Sequence, residues 1–190
     1  MSDQPAGPRR LLYGRRKGHK LRQKQSGLVE TLLPRLRVDL PADGCLDPRT
    51  CVAPPARQVW LEIGFGGGEH LHAQALANPD VGLIGCEPFV NGVAKLLSDI
   101  ERSGVQNIRI YDDDARDLLD VLADRCLDRI FVLFPDPWPK TRHHKRRFVT
   151  PDNLDRLARV MVSGGELRFA SDISDYVRWT LRHIRAHGAF

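Results

Sequence analysis

The sequence contains no run of 18 apolar residues, so it predicts no membrane-spanning helix. It also lacks the apolar stretch near the N-terminus that marks a secretory signal, which favours a cytosolic protein without membrane association. Its 190 residues, 42% of them apolar, suffice for one globular domain with its own core. Composition leaves open whether that domain is a monomer or a homodimer.

The four cysteines include no Cys-x-x-Cys pair, which argues against a disulfide framework and against a zinc site. We expect free thiols, with Cys86 buried in an apolar segment. Two histidine pairs, His70 with His72 and His143 with His144, lack further ligands at suitable spacing. The sequence therefore predicts no metal site.

Acidic residues are missing from two stretches that are rich in lysine and arginine. Residues 4–29 hold eight Lys/Arg and residues 140–147 hold five, which leaves 16 of the 29 basic residues for the rest of the chain. Because all 24 acids lie in that remainder, it carries a charge of about −8. Basic stretches on an acidic body suit an anionic partner such as RNA or DNA. Residues 1–27 are interpreted as a flexible basic arm ahead of a domain spanning residues 28–190.

Apolar segments alternate with helical patterns from residue 57 onward. Strands that are apolar throughout and separated by helices indicate a parallel sheet covered on both faces. We therefore predict a doubly wound α/β fold with a mostly parallel sheet, whose ligand binds at the carboxyl ends of the strands. The predicted strands are 57–64, 81–87, 107–111, 128–134 and 165–171, and the predicted helices are 28–36 (ended by Pro34), 68–78, 88–104, 115–124, 150–165 and 172–188.

The first predicted strand ends in a carboxylate and a glycine-rich turn. Glu62 precedes Gly64, and further glycines follow at Gly66 and at positions 67 and 68. Glycines allow a sharp turn and a close approach of a ligand, although a tight turn without a ligand explains the cluster about equally well. The dinucleotide pattern G-x-G-x-x-G fits poorly, because Glu69 stands where its third glycine belongs. A carboxylate ahead of the turn suits a cationic amino group better than a pyrophosphate.

Carboxylates also follow the second and third predicted strands. Glu87 can accept hydrogen bonds from both hydroxyls of a ribose, and Asp114 can accept one from an adenine amino group. Either residue alone is explained equally by strand-end solvation or helix capping. Together with the turn after Glu62, they describe a site for an adenosine that bears an amino acid. S-adenosylmethionine (SAM) is such a ligand.

The fourth predicted strand runs into the segment FPDPWPK. Two prolines keep the backbone around Asp136 out of helix and fix its direction, so its carboxylate is expected beside the reactive end of the ligand. Asp136 is interpreted as the catalytic residue, with an orienting role. Trp138 can offer an apolar face to a base, although a packed tryptophan in a rigid turn explains it as well.

In five segments the chain resembles the bacterial tRNA (guanine-N7)-methyltransferases, namely LEIGFGGGEHL, GCEPFVNGV, DDA, FPDPWPKTRHHKRR and RFASDISDY. The segments have that family's order and spacing. The resemblance implies a Rossmann-like class I methyltransferase that moves a methyl group from SAM to N7 of the guanosine at position 46, in the variable loop of tRNA. It implies SAM contacts at Glu62, Gly64, Gly66, Glu87, Asp114 and Asp136, substrate contacts at Lys140 and Asp172, and RNA contacts at Arg142, His143, His144, Lys145, Arg146 and Arg147.

The end of the chain departs from the family pattern. The family continues after its last helix with a strand pair and a Thr-Arg-x-x-Glu-like motif, whereas this sequence stops at Phe190. The sequence is therefore expected to be a C-terminally truncated methyltransferase domain. Three rival hypotheses are a SAM enzyme that acts on a protein or small amine, a non-catalytic RNA-binding relative, and a nicotinamide oxidoreductase.

Overall fold

The computed structural model describes residues 12–52 and 55–190. Five strands alternate with helices in the order that the sequence predicts. Within the described ranges, no helix combines the length and apolar character needed to cross a membrane. The helices are α1 (Gln23–Thr31), α2 (Leu33–Leu36), α3 (Glu69–Ala77), α4 (Val90–Ser103), α5 (Ala115–Val121), α6 (Pro151–Val160) and α7 (Ser174–His187), and the strands are β1 (Gln58–Ile63), β2 (Val81–Cys86), β3 (Ile108–Tyr111), β4 (Leu127–Leu133) and β5 (Met161–Ala170), with short 3-10 helices at Pro48–Cys51 and Thr141–Arg146.

All five strands are parallel and lie in the order β3-β2-β1-β4-β5. The order reverses beside β1, which is the arrangement of a doubly wound sheet. Ile63 pairs with Cys86 on one side and with Val132 on the other, and Cys86 pairs with Tyr111. The carboxyl ends of the four strands β1–β4 therefore lie at one edge. The predicted fold class is confirmed.

Two apolar cores cover the two faces of the sheet, because successive strand residues point to opposite sides. Leu61 and Ile130 pack with side chains from α5, α6 and α7. Trp60 and Phe131 pack with α1, α3 and α4. Cys86 is buried, as predicted, and all four cysteines are free thiols.

The structure differs from the predicted arm boundary. α1 begins at Gln23, so the division at residue 27 falls inside a helix. Pro34 lies in the first turn of α2, where a missing amide donor costs nothing, and it does not end a helix. The reason for the earlier start is packing, because Leu28 of α1 is buried in the core that α4 also forms.

The boundary between α6 and β5 was also predicted wrongly. Helical spacing continues through Met161 in the sequence, but α6 ends at Val160 and Met161 pairs with Leu127 of β4. The pairing then shifts, so that Arg129 lies opposite Glu166. Between these two pairs β5 contains more residues than β4, and Gly164, with a φ of 77°, is one of the additional residues. A buried partner strand has overridden the local helical pattern.

Candidate active site

A cavity of about 880 Å³ lies at the carboxyl edge of the sheet. Its size suits a ligand of nucleoside dimensions. It contains the predicted residues Gly64, Gly66, Glu87, Asp114, Asp136, Lys145, Arg146 and Arg147 in its lining. Five of the six predicted cofactor residues, which follow four different strands in the sequence, thus meet at one site.

The turn after β1 is built from glycines in the left-handed region. Gly64, Gly66 and Gly68 have φ values of 72°, 57° and 80°, a region that other residues enter only at a cost. Gly64 and Gly66 present bare backbone to the cavity. The structure therefore confirms the sharp turn that the glycines predicted, and their contact with a ligand stays a prediction.

Glu62 does not line the cavity. Its side chain is buried, and Oε2 lies 2.7 Å from Nδ1 of His70. Burial raises the pKa of Glu62, and the contact with His70 partly offsets this. His70, which the sequence analysis weighed only as a metal ligand, also packs edge-on against Phe131 at 4.8 Å. The predicted SAM contact of Glu62 stays a prediction.

Glu87 connects two segments of backbone at the cavity wall. Its Oε2 accepts a 2.7 Å hydrogen bond from the amide of Gly66, and Oε1 accepts a 2.9 Å bond from the amide of Phe89. Burial raises the pKa of this carboxyl, the two amide bonds oppose the rise, and Asp136 adds to it. Each oxygen keeps a second lone pair with which it can accept a ligand hydroxyl.

Asp114 caps α5 and is held by Arg116. Its Oδ1 accepts from the amide of Arg116 at 3.0 Å, and both carboxylate oxygens lie 2.9 Å from Nε of Arg116. A second guanidinium nitrogen of Arg116 also donates to Oδ2. Arg116 itself borders the cavity. Arg116 thus holds the Asp114 carboxylate in place. An adenine amino group bound by Asp114, as predicted, would share this carboxylate with Arg116.

Asp136 is exposed in the loop after β4, between two strained aromatic residues. Phe134 and Trp138 have φ values of 50° and 44°, which bulky residues rarely adopt. Such conformations cluster at functional sites. A Cβ atom on Gly14 would lie 3.9 Å from Oδ2 of Asp136, so the N-terminal segment, residues 12–22 ahead of α1, lies beside this loop. The two prolines predicted a restrained backbone around Asp136, but not the strained φ values of Phe134 and Trp138.

The basic segment, residues 140–147, contains the 3-10 helix Thr141–Arg146, which had not been predicted. Lys140, Arg142 and Lys145 are exposed, as a phosphate-contacting role requires. Burial and neighbouring positive charge lower the pKa of His143. His144 instead packs edge-on against Trp179 of α7 at 5.3 Å.

Arg147 contradicts its predicted role. Its side chain is fully buried, and it donates to the carbonyl of Pro137 and to Asp175. A side chain with no exposed surface is not placed to contact an RNA phosphate, although the residue still borders the cavity. Asp172 is exposed in the turn before α7, which begins at Ser174, and it does not line the cavity.

The N-terminal segment is a part of the site that sequence reasoning missed. Tyr13 and Gly14 line the cavity, and the guanidinium of Arg146 lies between Tyr13 at 4.5 Å and Trp138 at 4.9 Å from the ring centroids. The backbone carbonyl of Arg16 accepts from the amide of Val90, which anchors the segment to α4. The sequence signal that could have indicated this role is an aromatic residue, Tyr13, among basic residues.

Comparison with known proteins agrees with this geometry. A family model described as "Putative methyltransferase" matches residues 56–190. The tRNA (guanine-N(7)-)-methyltransferase of Rhodospirillum rubrum is 54% identical over 193 residues, which covers 100% of this chain and 75% of the relative. The protein of the same name from Chelativorans sp. is 55% identical over 180 residues, covering 94% and 77% respectively.

Solved structures share the fold at low identity. An antibiotic-related methyltransferase superposes with a TM-score of 0.52 at 18% identity, over 70% of this chain and 69% of that one. A precorrin-6y C5,15-methyltransferase from Geobacter metallireducens gives a TM-score of 0.56 at 17% identity, over 90% and 75%. The fold is therefore that of class I Rossmann-like methyltransferases. With identities above 50% along nearly the whole chain, the protein belongs to the tRNA (guanine-N(7)-)-methyltransferase family.

Proposed function

We propose that this protein transfers the methyl group of SAM to N7 of a guanosine in tRNA, at position 46 of the variable loop. The names of its relatives support this reaction. The observation that carries it is the meeting of Gly66, Glu87 and Asp136 in one cavity, which exposed Lys145 of the basic segment also lines. The proposed setting is the cytoplasm, where tRNA is modified.

The cavity wall fits the proposed methyl donor. Bare backbone at Gly64 and Gly66 allows close approach, and the free lone pairs of Glu87 suit the two ribose hydroxyls. Asp114, restrained by Arg116, lies at the next strand end, where an adenine amino group is expected. SAM supplies an electrophilic methyl group on a sulfonium centre.

The reaction requires little acid–base chemistry from the protein. N7 of guanine carries a free lone pair, so it forms the new bond to the methyl carbon while the carbon–sulfur bond breaks and its electron pair stays on sulfur. The positive charge passes to the base. Holding the two reactants in line can contribute about 7–11 kcal/mol. Asp136 accordingly orients the base and lies close to the developing positive charge.

The proposed RNA contacts are electrostatic. Lys140, Arg142 and Lys145 are exposed, and Lys145 and Arg15 line the cavity. The part of the predicted arm before residue 12 lies outside the described residues. Phosphate contacts of this kind fix the register of the RNA, and the cavity selects the base.

Incubation of the protein with bulk tRNA and methyl-labelled SAM, followed by nucleoside analysis, tests the function. We expect label in 7-methylguanosine alone. Label in another nucleoside, in protein or in a small amine would contradict the assignment. RNA binding without label transfer would favour the non-catalytic alternative.

A further inference from the structure

Arg147 differs from the other arginines of the basic segment because it is removed from water. Its side chain has 0% of its surface exposed, whereas Arg142 in the same segment is exposed. A buried charge is costly unless it is paired and hydrogen-bonded. The partners of Arg147 therefore indicate what it does.

Its guanidinium joins the Asp136–Trp138 loop to α7. Nε donates a 2.9 Å hydrogen bond to the carbonyl oxygen of Pro137, and Nη2 donates at 2.5 Å to Oδ2 of Asp175. The guanidinium carbon also lies 4.9 Å and 5.1 Å from the ring centroids of Tyr176 and Trp179. One planar group thus binds a loop carbonyl, a helix carboxylate and two ring faces.

α7 is itself fixed against the chain that follows Arg147. The indole of Trp179 donates a 2.7 Å hydrogen bond to the carbonyl of Val149, and the amide of Val149 donates to the hydroxyl of Tyr176 at 3.3 Å. Tyr176 is fully buried. The support behind Arg147 is therefore rigid.

The bonded carbonyl occupies a sensitive place in the loop. It belongs to the peptide group between Pro137 and Trp138, and Trp138 has a φ of 44°. A non-glycine residue in such a conformation costs about 1–3 kcal/mol and persists only where its surroundings enforce it. Asp136 directly precedes Pro137, so rotation of this peptide group would move its carboxylate.

We propose that Arg147 is a positioning residue that fixes the Asp136–Trp138 loop from α7, and that it does not contact RNA phosphate. The inference rests on the proposed function and assigns a further residue to it. Asp175 is the residue of α7 to which Arg147 connects the loop. The hydrogen bond from Arg147 lowers the pKa of Asp175, so the pair stays ionised at neutral pH.

Arg147→Lys is the diagnostic variant, because lysine keeps the charge but cannot form the planar double contact or stack between rings. Single-turnover methylation is measured at saturating tRNA and expressed per SAM-binding site, counted by calorimetry. We expect a rate about 10- to 100-fold lower, in line with the cost of a small misplacement. Partial unfolding would reduce the number of sites but not the rate per site. An unchanged rate per site would overturn the proposal.

Asp175→Asn is the second variant, because Asp175 is exposed and asparagine keeps its size while removing the charge that pairs with Arg147. We expect Asp175→Asn, like Arg147→Lys, to lower the methylation rate per SAM-binding site. The double variant should be no slower than Arg147→Lys alone, because both changes break the same link. Independent, multiplicative effects would sink the proposed link. If Arg147→Lys fails to bind SAM, Asp175→Asn alone decides, and a rate equal to that of the parent counts against the proposal.

Salt dependence of tRNA binding separates positioning from phosphate contact. Arg142→Gln should lower the slope of log affinity against log salt by about 0.7–0.9, the value for one lost contact. Arg147→Gln should leave the slope unchanged, and a drop of the same size would refute the proposal. This comparison holds even if the parent forms no 7-methylguanosine, a result that would contradict the proposed function separately.

Discussion

The backbones of Gly66 and Gly92 approach so closely that a Cβ atom on residue 92 would lie 2.1 Å from the carbonyl oxygen of Gly66. The first turn of α4 is therefore pressed against the glycine turn of the cavity. Gly92→Ala must displace one of the two backbones, and overpacking of this kind costs about 1–3 kcal/mol. We expect a lower melting temperature and weaker SAM binding by calorimetry.

Gly27→Ala is the matched control for this experiment. Gly27 lies inside α1, and its Cβ would meet nothing within 4 Å. It should raise the free energy of unfolding by about 0.5–1 kcal/mol, since alanine is favoured over glycine inside helices, and it should leave SAM affinity unchanged. Equal SAM affinities for the parent and Gly92→Ala would show that the contact does not shape the site.

The raised pKa of Glu87 predicts a pH dependence of SAM binding. The ionised carboxylate is the form that accepts both amide bonds and would accept the proposed ribose hydroxyls, so SAM affinity should fall as pH decreases through the raised pKa. This decline should therefore begin above the ordinary glutamate value of about 4.3. Calorimetric titrations in mildly acidic buffers measure it.

Two variants identify the titrating group. Glu87→Gln should give a weaker affinity that no longer varies over this acidic range. Burial also raises the pKa of Glu62, which binds His70 instead of lining the cavity. If Glu62→Gln flattens the profile while Glu87→Gln leaves it intact, the titration belongs to Glu62 and the ribose assignment of Glu87 is wrong.

Asp136→Ala should remove methyl transfer and leave SAM affinity largely intact, because the side chain is exposed in the loop and its proposed main task is to orient the base. We expect single-turnover rates at least about 100-fold lower. Asp80→Ala, at the opposite end of the sheet just before β2, is the control and should match the parent. A loss of only a few-fold would return Asp136 to a structural role.

Exposed lysines of the N-terminal segment should contribute to tRNA affinity. Lys17 and Lys20 are exposed, whereas Nζ of Lys24 lies 2.6 Å from Glu101. Replacing Lys17 and Lys20 together by glutamine should reduce the salt slope by about 1.4–1.8, which corresponds to two phosphate contacts. Lys24→Gln should have a smaller effect, because its charge already has a partner. An unchanged slope in the double variant would mean that these lysines face solvent.

The sequence was informative where the geometry of a parallel sheet dictates the outcome. Residues that follow successive parallel strands must meet at one edge, so Gly66, Glu87, Asp114 and Asp136 could be placed together from their spacing alone. That argument fixes the position of a backbone segment. It does not determine whether a side chain points to the cavity, and Glu62 points to His70 instead.

Side-chain burial was the main limit of prediction. Arg147 stands last in a run of positive charge, and nothing in the run distinguishes it from exposed Arg142. The difference comes from α7, whose Asp175 is 28 positions away in the sequence. The α6–β5 boundary failed for a similar reason, since pairing of Met161 with Leu127 is a long-range contact that local periodicity does not reveal.

The two amide hydrogen bonds of Glu87 give the cavity a preorganised wall. Because Gly66 and Phe89 are already held by one carboxylate, a ligand that reaches this edge does not have to order the glycine turn. Conformational entropy lost on binding is then reduced, and more of the contact energy appears as affinity. The carboxylate that we propose as the ribose acceptor thus also holds the shape of the cavity wall before a ligand arrives.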